Sequence, residues 1–381
     1  SRRTVLAMGS GPLAGLRIIE VGHVLAGPYA TQLLADLGAD VIKVETADGD
    51  VSRDVGSQYV DGHNVYFASI NHNKRSVRID LATPEGQVAL HRLVTDADAL
   101  LANLRPVAIR KLGLTYDALR DVNPKLVCVA LTGYGLDGPE AGWPVFDYLV
   151  QAGVGLAAMS GDPGGPPMLP GYTAADNSSA IMAALGLLAK VHEGNGGQVD
   201  VSMFETMLSQ LNYKAAQYLN GGVVPTRQPD GGHNFYVPAQ LFPTADGYLA
   251  VFVTRDELWR QLAAELGRPE WGTDPRFATM QDRHVHRAEL VALLTDRLTE
   301  TSATEWEARL RPLGLPVGAV VGLDVALESA YVARRGIVAE IPTTDGLLRV
   351  LGSPIHCDSA LTDYRPPPRL HEHTTELLGD A

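Results

Sequence analysis

Apolar positions in the first third of the chain alternate between short dense runs and longer stretches where they recur every three or four residues. Leu16 to Val21 is a dense run, and Ala30 to Leu37 has helical spacing and stops at Gly38. Ala39 to Glu45 is a second run of the buried-strand kind, so this stretch predicts a strand–helix–strand unit. The alternation continues with a strand over Ser76–Leu81, a helix over Pro84–Asp96 and a strand over Ala99–Ala102. A helix over Tyr116–Asn123 and a strand over Leu126–Leu131 follow. That succession predicts an α/β fold built on a largely parallel sheet covered by helices.

After Thr132 the pattern loosens. Gly133–Pro144 and Gly153–Gly171 are rich in glycine and proline and read as loops. A strong helix is predicted over Asn177–Glu193, ended by Gly194, then a short strand over Val199–Met203 and a helix over Phe204–Leu219. Further on come a strand over Tyr248–Val253 and helices near Glu257–Leu266, Arg287–Leu298 and Ala303–Leu310. The domain boundaries predicted are a large lobe over 10–200, a linker helix over 201–225 and a smaller α+β lobe over 226–325. A C-terminal segment over 326–381 is expected to return to the large lobe, with a strand near Leu347–Leu351.

Length and charge narrow this picture. A chain of 381 residues exceeds what one core ordinarily supports. The net charge of −13 opposes general affinity for nucleic acid or an anionic membrane. The longest apolar run, Ala180–Ala189, is about half of a bilayer span. Two widely separated cysteines, Cys128 and Cys357, fit a reducing compartment, so a soluble cytoplasmic protein is expected. The apolar stretch Thr4 to Met8 is too short for a signal peptide and reads as a leader.

The first turn of a strand–helix–strand unit is a place for an anion, because loop N–H groups and a helix N-terminus face it. Here the turn is Gly22-His23-Val24-Leu25-Ala26-Gly27-Pro28, which lacks the G-x-G-x-x-G spacing and any Walker lysine. A nicotinamide or flavin enzyme is thereby disfavoured, although Glu45 stands where such an enzyme keeps its ribose-binding acid. The stretch Asn71–Lys111 carries seven basic residues against four acidic ones. Lys74 and Arg75 precede a predicted strand, and Arg105, Arg110 and Lys111 follow one. They suit the phosphates of a nucleotide, or else they form a solvated basic face.

A second candidate lies at Thr173-Ala174-Ala175-Asp176-Asn177-Ser178-Ser179, ahead of the most apolar helix. Asp176 reads either as a helix cap or as a carboxylate nucleophile that the helix dipole keeps ionised. The stretch Asp230-Gly231-Gly232-His233-Asn234 reads as a connection or as a loop that closes over a site and donates backbone N–H groups.

Taken in order, several short stretches resemble the CaiB/BaiF group, the class III CoA-transferases, which include formyl-CoA and carnitine CoA-transferases. They are Gly38-Ala39-Asp40-Val41-Ile42-Lys43-Val44-Glu45, Asn73-Lys74-Arg75-Ser76-Val77, Thr83-Pro84-Glu85-Gly86 and Gly133-Tyr134-Gly135. Gly138-Pro139, Phe146-Asp147, Asp176, Gly197–Met203 and Leu370–Thr374 complete the set. The resemblance implies a Rossmann-like large domain, a smaller domain and an interlocked homodimer. It implies Asp176 as the catalytic nucleophile, Asp147 as an assisting acid, and Gly231 and Gly232 as part of a mobile loop. It places CoA near Val24, Leu25, Ala26, Lys74, Arg75, Asn103, Leu104 and Lys111. No permanently bound cofactor or metal is implied; an acyl-CoA and a small carboxylic acid are the substrates. Asp176 attacks the acyl-CoA to give an anhydride, the thiolate returns to make an enzyme–CoA thioester, and the acceptor acid then takes up CoA.

The same superfamily holds α-methylacyl-CoA racemases, which use a histidine at the position of Phe146. Phenylalanine moves no proton, and Arg255 falls near the place of the racemases' further glutamate, so racemase chemistry lacks its groups here. A non-catalytic CoA-binding member is the other alternative. Leu25, Pro144 and Thr46 depart from the formyl-CoA enzymes, and Leu25 and Phe146 suggest a less polar acyl pocket. His284 and His286, two apart, cannot share a metal on a helix, and His63 and His233 read as pocket residues without a catalytic part.

Overall fold

The computed structural model describes residues 11–344, 346–359 and 363–379. Six strands make one parallel sheet: β1 (Arg17–Val21), β2 (Asp40–Glu45), β3 (Arg75–Arg78), β4 (Ala99–Ala102), β5 (Val127–Thr132) and β6 (Gly197–Ser202). Their spatial order is β3-β2-β1-β4-β5-β6, with every neighbouring pair parallel. This is the Rossmann-like order, whose direction reverses between β1 and β4. The predicted α/β class and parallel sheet are thus present. β4 and β5 are buried at every position, which is why they read as unbroken apolar runs.

The helices flank this sheet. α1 (Ala26–Ala35) begins four residues earlier than its apolar spacing predicted, so that Gly27 and Pro28 lie in its buried first turn. α2 (Pro84–Thr95) starts where Thr83 Oγ1 accepts the N–H of Gly86 at 3.0 Å, with Pro84 at its first position. Gly86 is required there, since a Cβ would lie 1.8 Å from the Asp80 carbonyl oxygen. The predicted helix over Tyr116–Asn123 shortens to one turn, Tyr116–Leu119. α3 (Asp147–Gly153) was not foreseen, because its seven residues sit between glycine-rich loops. α4 (Ala174–Glu193) packs on α1 and buries Ala180, Ala183, Ala184 and Leu187. α5 (Met203–Gln210) ends at a break before Asn212–Gly221, where one helix had been expected.

By contact density the chain divides into two compact units. One comprises the described parts of Ser1–Val154, Pro170–Ala215 and Ala330–Ala381, and the other Gly155–Leu169 and Ala216–Ser329. The boundary drawn from sequence assigned residues 155–169 to the large lobe; they belong to the second unit. The reason is Arg227, whose guanidinium donates to the carbonyls of Ala158, Gly165 and Pro166, while the Asp230 N–H donates to Asp162. The second unit has an antiparallel sheet of β7 (Ala239–Pro243), β8 (Tyr248–Phe252) and β9 (Val317–Ala319). Its core gathers Trp259, Leu262, Phe277, Leu290, Leu294 and Trp306. In the first unit β10 (Val338–Thr343) pairs with β11 (Gly346–Leu351).

Candidate active site

The turn from β1 into α1 leaves the carboxyl end of the sheet at the reversal point. Val24 there has φ +66°, a left-handed conformation that is unusual for a β-branched residue. Three bonds hold it: Val24 N–H donates to Asp50 Oδ1 at 3.1 Å, His23 N–H to Asn103 Oδ1 at 3.1 Å, and Asn103 Nδ2 to the His23 carbonyl at 3.1 Å. Gly22 and Gly27 make room for the Asn103 carboxamide, since Cβ atoms there would come within 1.9 and 2.5 Å of its oxygen. The two glycines therefore serve a protein side chain in place of the dinucleotide fingerprint.

This turn walls a cavity of about 410 Å³ lined also by Leu104, Arg105, Trp143, Phe146, Asp147 and Asp176. Five of the residues assigned to CoA by resemblance, Val24, Leu25, Ala26, Asn103 and Leu104, meet both proposed catalytic aspartates here. A second cavity of about 240 Å³ shares His23 and Leu104 and runs over Glu45, Thr46 and Asp80.

Asp176 is the third residue of α4, and the sequence left open whether it caps that helix. It does not. The cap is Asp147, the buried first residue of α3, whose Oδ2 accepts the N–H of Ala175 at 2.7 Å and of Asp176 at 3.0 Å. Gln151 Nε2 donates to the other oxygen of Asp147. The half-buried Asp176 carboxylate makes no hydrogen bond among the described residues. Asp176 is also less readily ionised than its place at a helix N-terminus suggests. Burial and then the neighbouring Asp147 charge push its pKa up to about 7. The N–H groups of Ala175 and Asp176 are thus engaged by Asp147.

Lys74 and Arg75 do not face the cavity, and the phosphate role drawn for them is corrected. Lys74 Nζ is buried and donates to Glu20 Oε2 (2.8 Å), the Pro28 carbonyl (2.8 Å) and Asn71 Oδ1 (3.0 Å). Arg75 pairs with Asp40 at 2.6 Å and Glu376 at 2.8 Å. Lys111 is exposed at the end of the helix Pro106–Lys111 and does not line the cavity. Arg110 pairs with Asp137. Of the basic stretch, Arg105 is the member at the cavity wall, exposed and at the N-cap of that helix. Glu45, the alternative ribose ligand, is bound by Arg53 at 2.6 Å and by Ser76 Oγ at 2.6 Å.

Gly231 and Gly232 lie in the second unit, where Pro229–Gly231 forms a single 3₁₀ turn with Asp230 at φ +53°. Sequence reasoning missed Asp50 and Gln151, whereas Arg105 was among the basic residues it singled out. Only the glycine pair at 22 and 27 carried a readable signal, that something intrudes on the turn.

Comparison with known proteins identifies the family. The family model described as CoA-transferase family III matches residues 13–374. An acyl-CoA transferase of Fusarium pseudograminearum is 35% identical, covering 97% of this chain and 85% of its own. A succinate–glutarate CoA-transferase of Agrobacterium fabrum is 34% identical, covering 97% and 95%. Among solved structures, a CaiB/BaiF family protein from Brucella suis superposes with a TM-score of 0.86 at 31% identity, over 97% of this chain and 98% of that one. This chain belongs to CoA-transferase family III.

Proposed function

We propose that the protein moves CoA from an acyl-CoA to a carboxylic acid, with Asp176 as the covalent acceptor. The observation that carries the reading is a carboxylate at the cavity wall with no hydrogen bond of its own and a pKa near 7. A carboxylate this basic is a stronger nucleophile than an ordinary aspartate, yet a large fraction is ionised at neutral pH.

Asp176 attacks the thioester carbonyl, the C–S bond breaks and CoA leaves as thiolate, giving a mixed anhydride. The thiolate then adds to the Asp176 side-chain carbonyl and expels the donor acid as carboxylate, leaving an enzyme–CoA thioester. The acceptor carboxylate displaces CoA in the same two steps run backwards, and Asp176 is regenerated. One thioester replaces another, so no external energy source is needed. Asp147 keeps a negative charge beside Asp176 and fixes the helix end that carries it. Leu25, Phe146 and Trp143 give the wall an apolar character that favours an acyl chain over formate or oxalate.

The working form in this proposal is a homodimer in the cytoplasm. Ile181 and Leu185, one turn apart on α4, are 53% and 60% exposed, which suits cover by a second copy. Cys128 and Cys357 are unpaired, as a reducing compartment requires. Among the described residues no helix is long and apolar enough to cross a membrane.

The test is peptide mass after incubation with succinyl-CoA or acetyl-CoA and a hydroxylamine quench. A hydroxamate on the Asp176 peptide, absent in Asp176→Ala, is the expected result. Absence of modification with several donors, joined to deuterium uptake beside a 2-methylacyl thioester, would move the reading to racemase chemistry.

A further inference from the structure

Asp50 belongs to no motif, yet it stands behind the most strained point of the cavity wall. Its side chain is buried, and its Oδ1 accepts from Val24 N–H (3.1 Å), Ser52 N–H (2.8 Å) and Ser52 Oγ (2.7 Å). Its Oδ2 meets Lys43 Nζ at 2.8 Å. Lys43 is tied to Glu20 at 2.5 Å and donates to the Gly22 carbonyl at 3.0 Å. Asp50 is thus anchored in the sheet by one oxygen and grips the turn with the other. On the opposite side of the turn, Asn103 clasps His23 through both its polar atoms.

A left-handed valine persists only where its surroundings over-determine it. Freed from its acceptor, Val24 would relax to negative φ and carry Leu25 and Ala26 with it. Those residues form the wall of the Asp176 cavity. We propose that Asp50 is a positioning residue, holding Val24 in its left-handed conformation and thereby fixing the wall against which the acyl-CoA lies. The inference rests on the CoA-transferase reading for the identity of the ligand, and goes beyond it in assigning the residue that shapes the ligand's seat.

The test is equilibrium binding of CoA to the full-length chain, measured calorimetrically beside thermal unfolding, so that it does not depend on turnover. Asp50→Ala is expected to weaken CoA about tenfold, equivalent to about 1.4 kcal/mol. Val24→Gly loses a contact and costs about threefold, but glycine adopts positive φ without strain. Adding Asp50→Ala to Val24→Gly is therefore expected to cost less than a further twofold. A purely structural role for Asp50 gives the full tenfold loss in both backgrounds, which overturns the proposal. So does a folded Asp50→Ala with unchanged CoA affinity. Should Asp50→Ala not fold, Asp50→Asn keeps an oxygen for the Val24 N–H, and an affinity within about threefold of wild type supports the assignment while a tenfold loss refutes it. A wild type that binds CoA normally but forms no covalent intermediate leaves the clamp standing and removes the transferase reading. A wild type that binds no CoA removes both.

Discussion

Two clusters of acids lie on the ligand side of the sheet, and the protein treats them in opposite ways. Glu20, Asp50 and Glu45 are buried among Lys43, Lys74 and Arg53. Burial opposes ionisation of Glu20, yet Lys43 and Lys74 hold its carboxyl below the usual range; Asp50, likewise buried, is brought down to about 2 by Lys43 and Ser52. Among the described residues no cation pairs with Asp147 or Asp176, and Asp176 rises to about 7. The first cluster is compensated and builds the turn. The second leaves one charge uncompensated, which is how a reactive group is kept.

The largest break in this contrast is Asp176→Asn. It is expected to lower kcat/KM by about 10⁴-fold or more, as loss of a nucleophile does. Steady-state CoA transfer between succinyl-CoA and a carboxylic acid would measure it, and retention of more than about a hundredth of the activity would dismiss Asp176 as the acceptor.

Next comes the compensated cluster. Glu20→Gln strips Lys43 and Lys74 of a shared carboxylate in the interior and is expected to destabilise by about 3–5 kcal/mol. Denaturant unfolding near pH 7.5 reads this directly. A loss under about 1 kcal/mol would mean that the network is held by its neutral partners instead.

The same measurement on Asp176→Asn has the opposite sign. Asp176 rises from an ordinary 3.8 to about 7, so between those values the folded chain holds a proton that the unfolded chain releases. Its ionisation therefore opposes folding, progressively above pH 4 and fully above pH 7. Asparagine escapes this cost. Allowing for partial solvent contact, a gain on the order of 2 kcal/mol is expected at pH 8, shrinking towards zero near pH 4. A pH-independent effect would show that Asp176 is not raised.

The two clusters also differ in how far the sequence disclosed them. The alternation of dense and periodic runs gave the parallel sheet, because β1, β2, β4 and β5 are buried along nearly their whole length. Asp176 was visible from its place before an apolar helix. Asp147 was named beside it only through the family resemblance; that it caps α4 was not visible, since it lies 28 residues before the Ala175 N–H it accepts. Lys74 and Arg75 looked like phosphate ligands because charge counts do not reveal partners; Glu20 and Asp40 lie 54 and 35 positions away. β7, β9 and β10 were missed for a third reason. β7 and β9 are edge strands, three-residue β9 pairs with β8 from far along the chain, and β7 and β10 are settled by hairpin pairing with β8 and β11 rather than by their own apolar pattern.

The smallest expected effect is the most discriminating. In Asp147→Asn an oxygen remains to accept the N–H groups of Ala175 and Asp176, while the negative charge beside Asp176 is gone. Helix α4 should keep its start, and the pKa of Asp176 should fall, with burial left as the cause of the remaining elevation. The acid limb of kcat/KM for CoA transfer then moves to lower pH. On the plateau the rate drops a few-fold, because a less basic carboxylate is a weaker nucleophile. Asp147→Ala should differ: it frees both N–H groups and costs about 0.5–2 kcal/mol of stability as a lost cap. If the limb shifts in neither variant, the charge of Asp147 does not act on Asp176. Its contribution would then be the cap alone, and the contrast between the two clusters would reduce to burial.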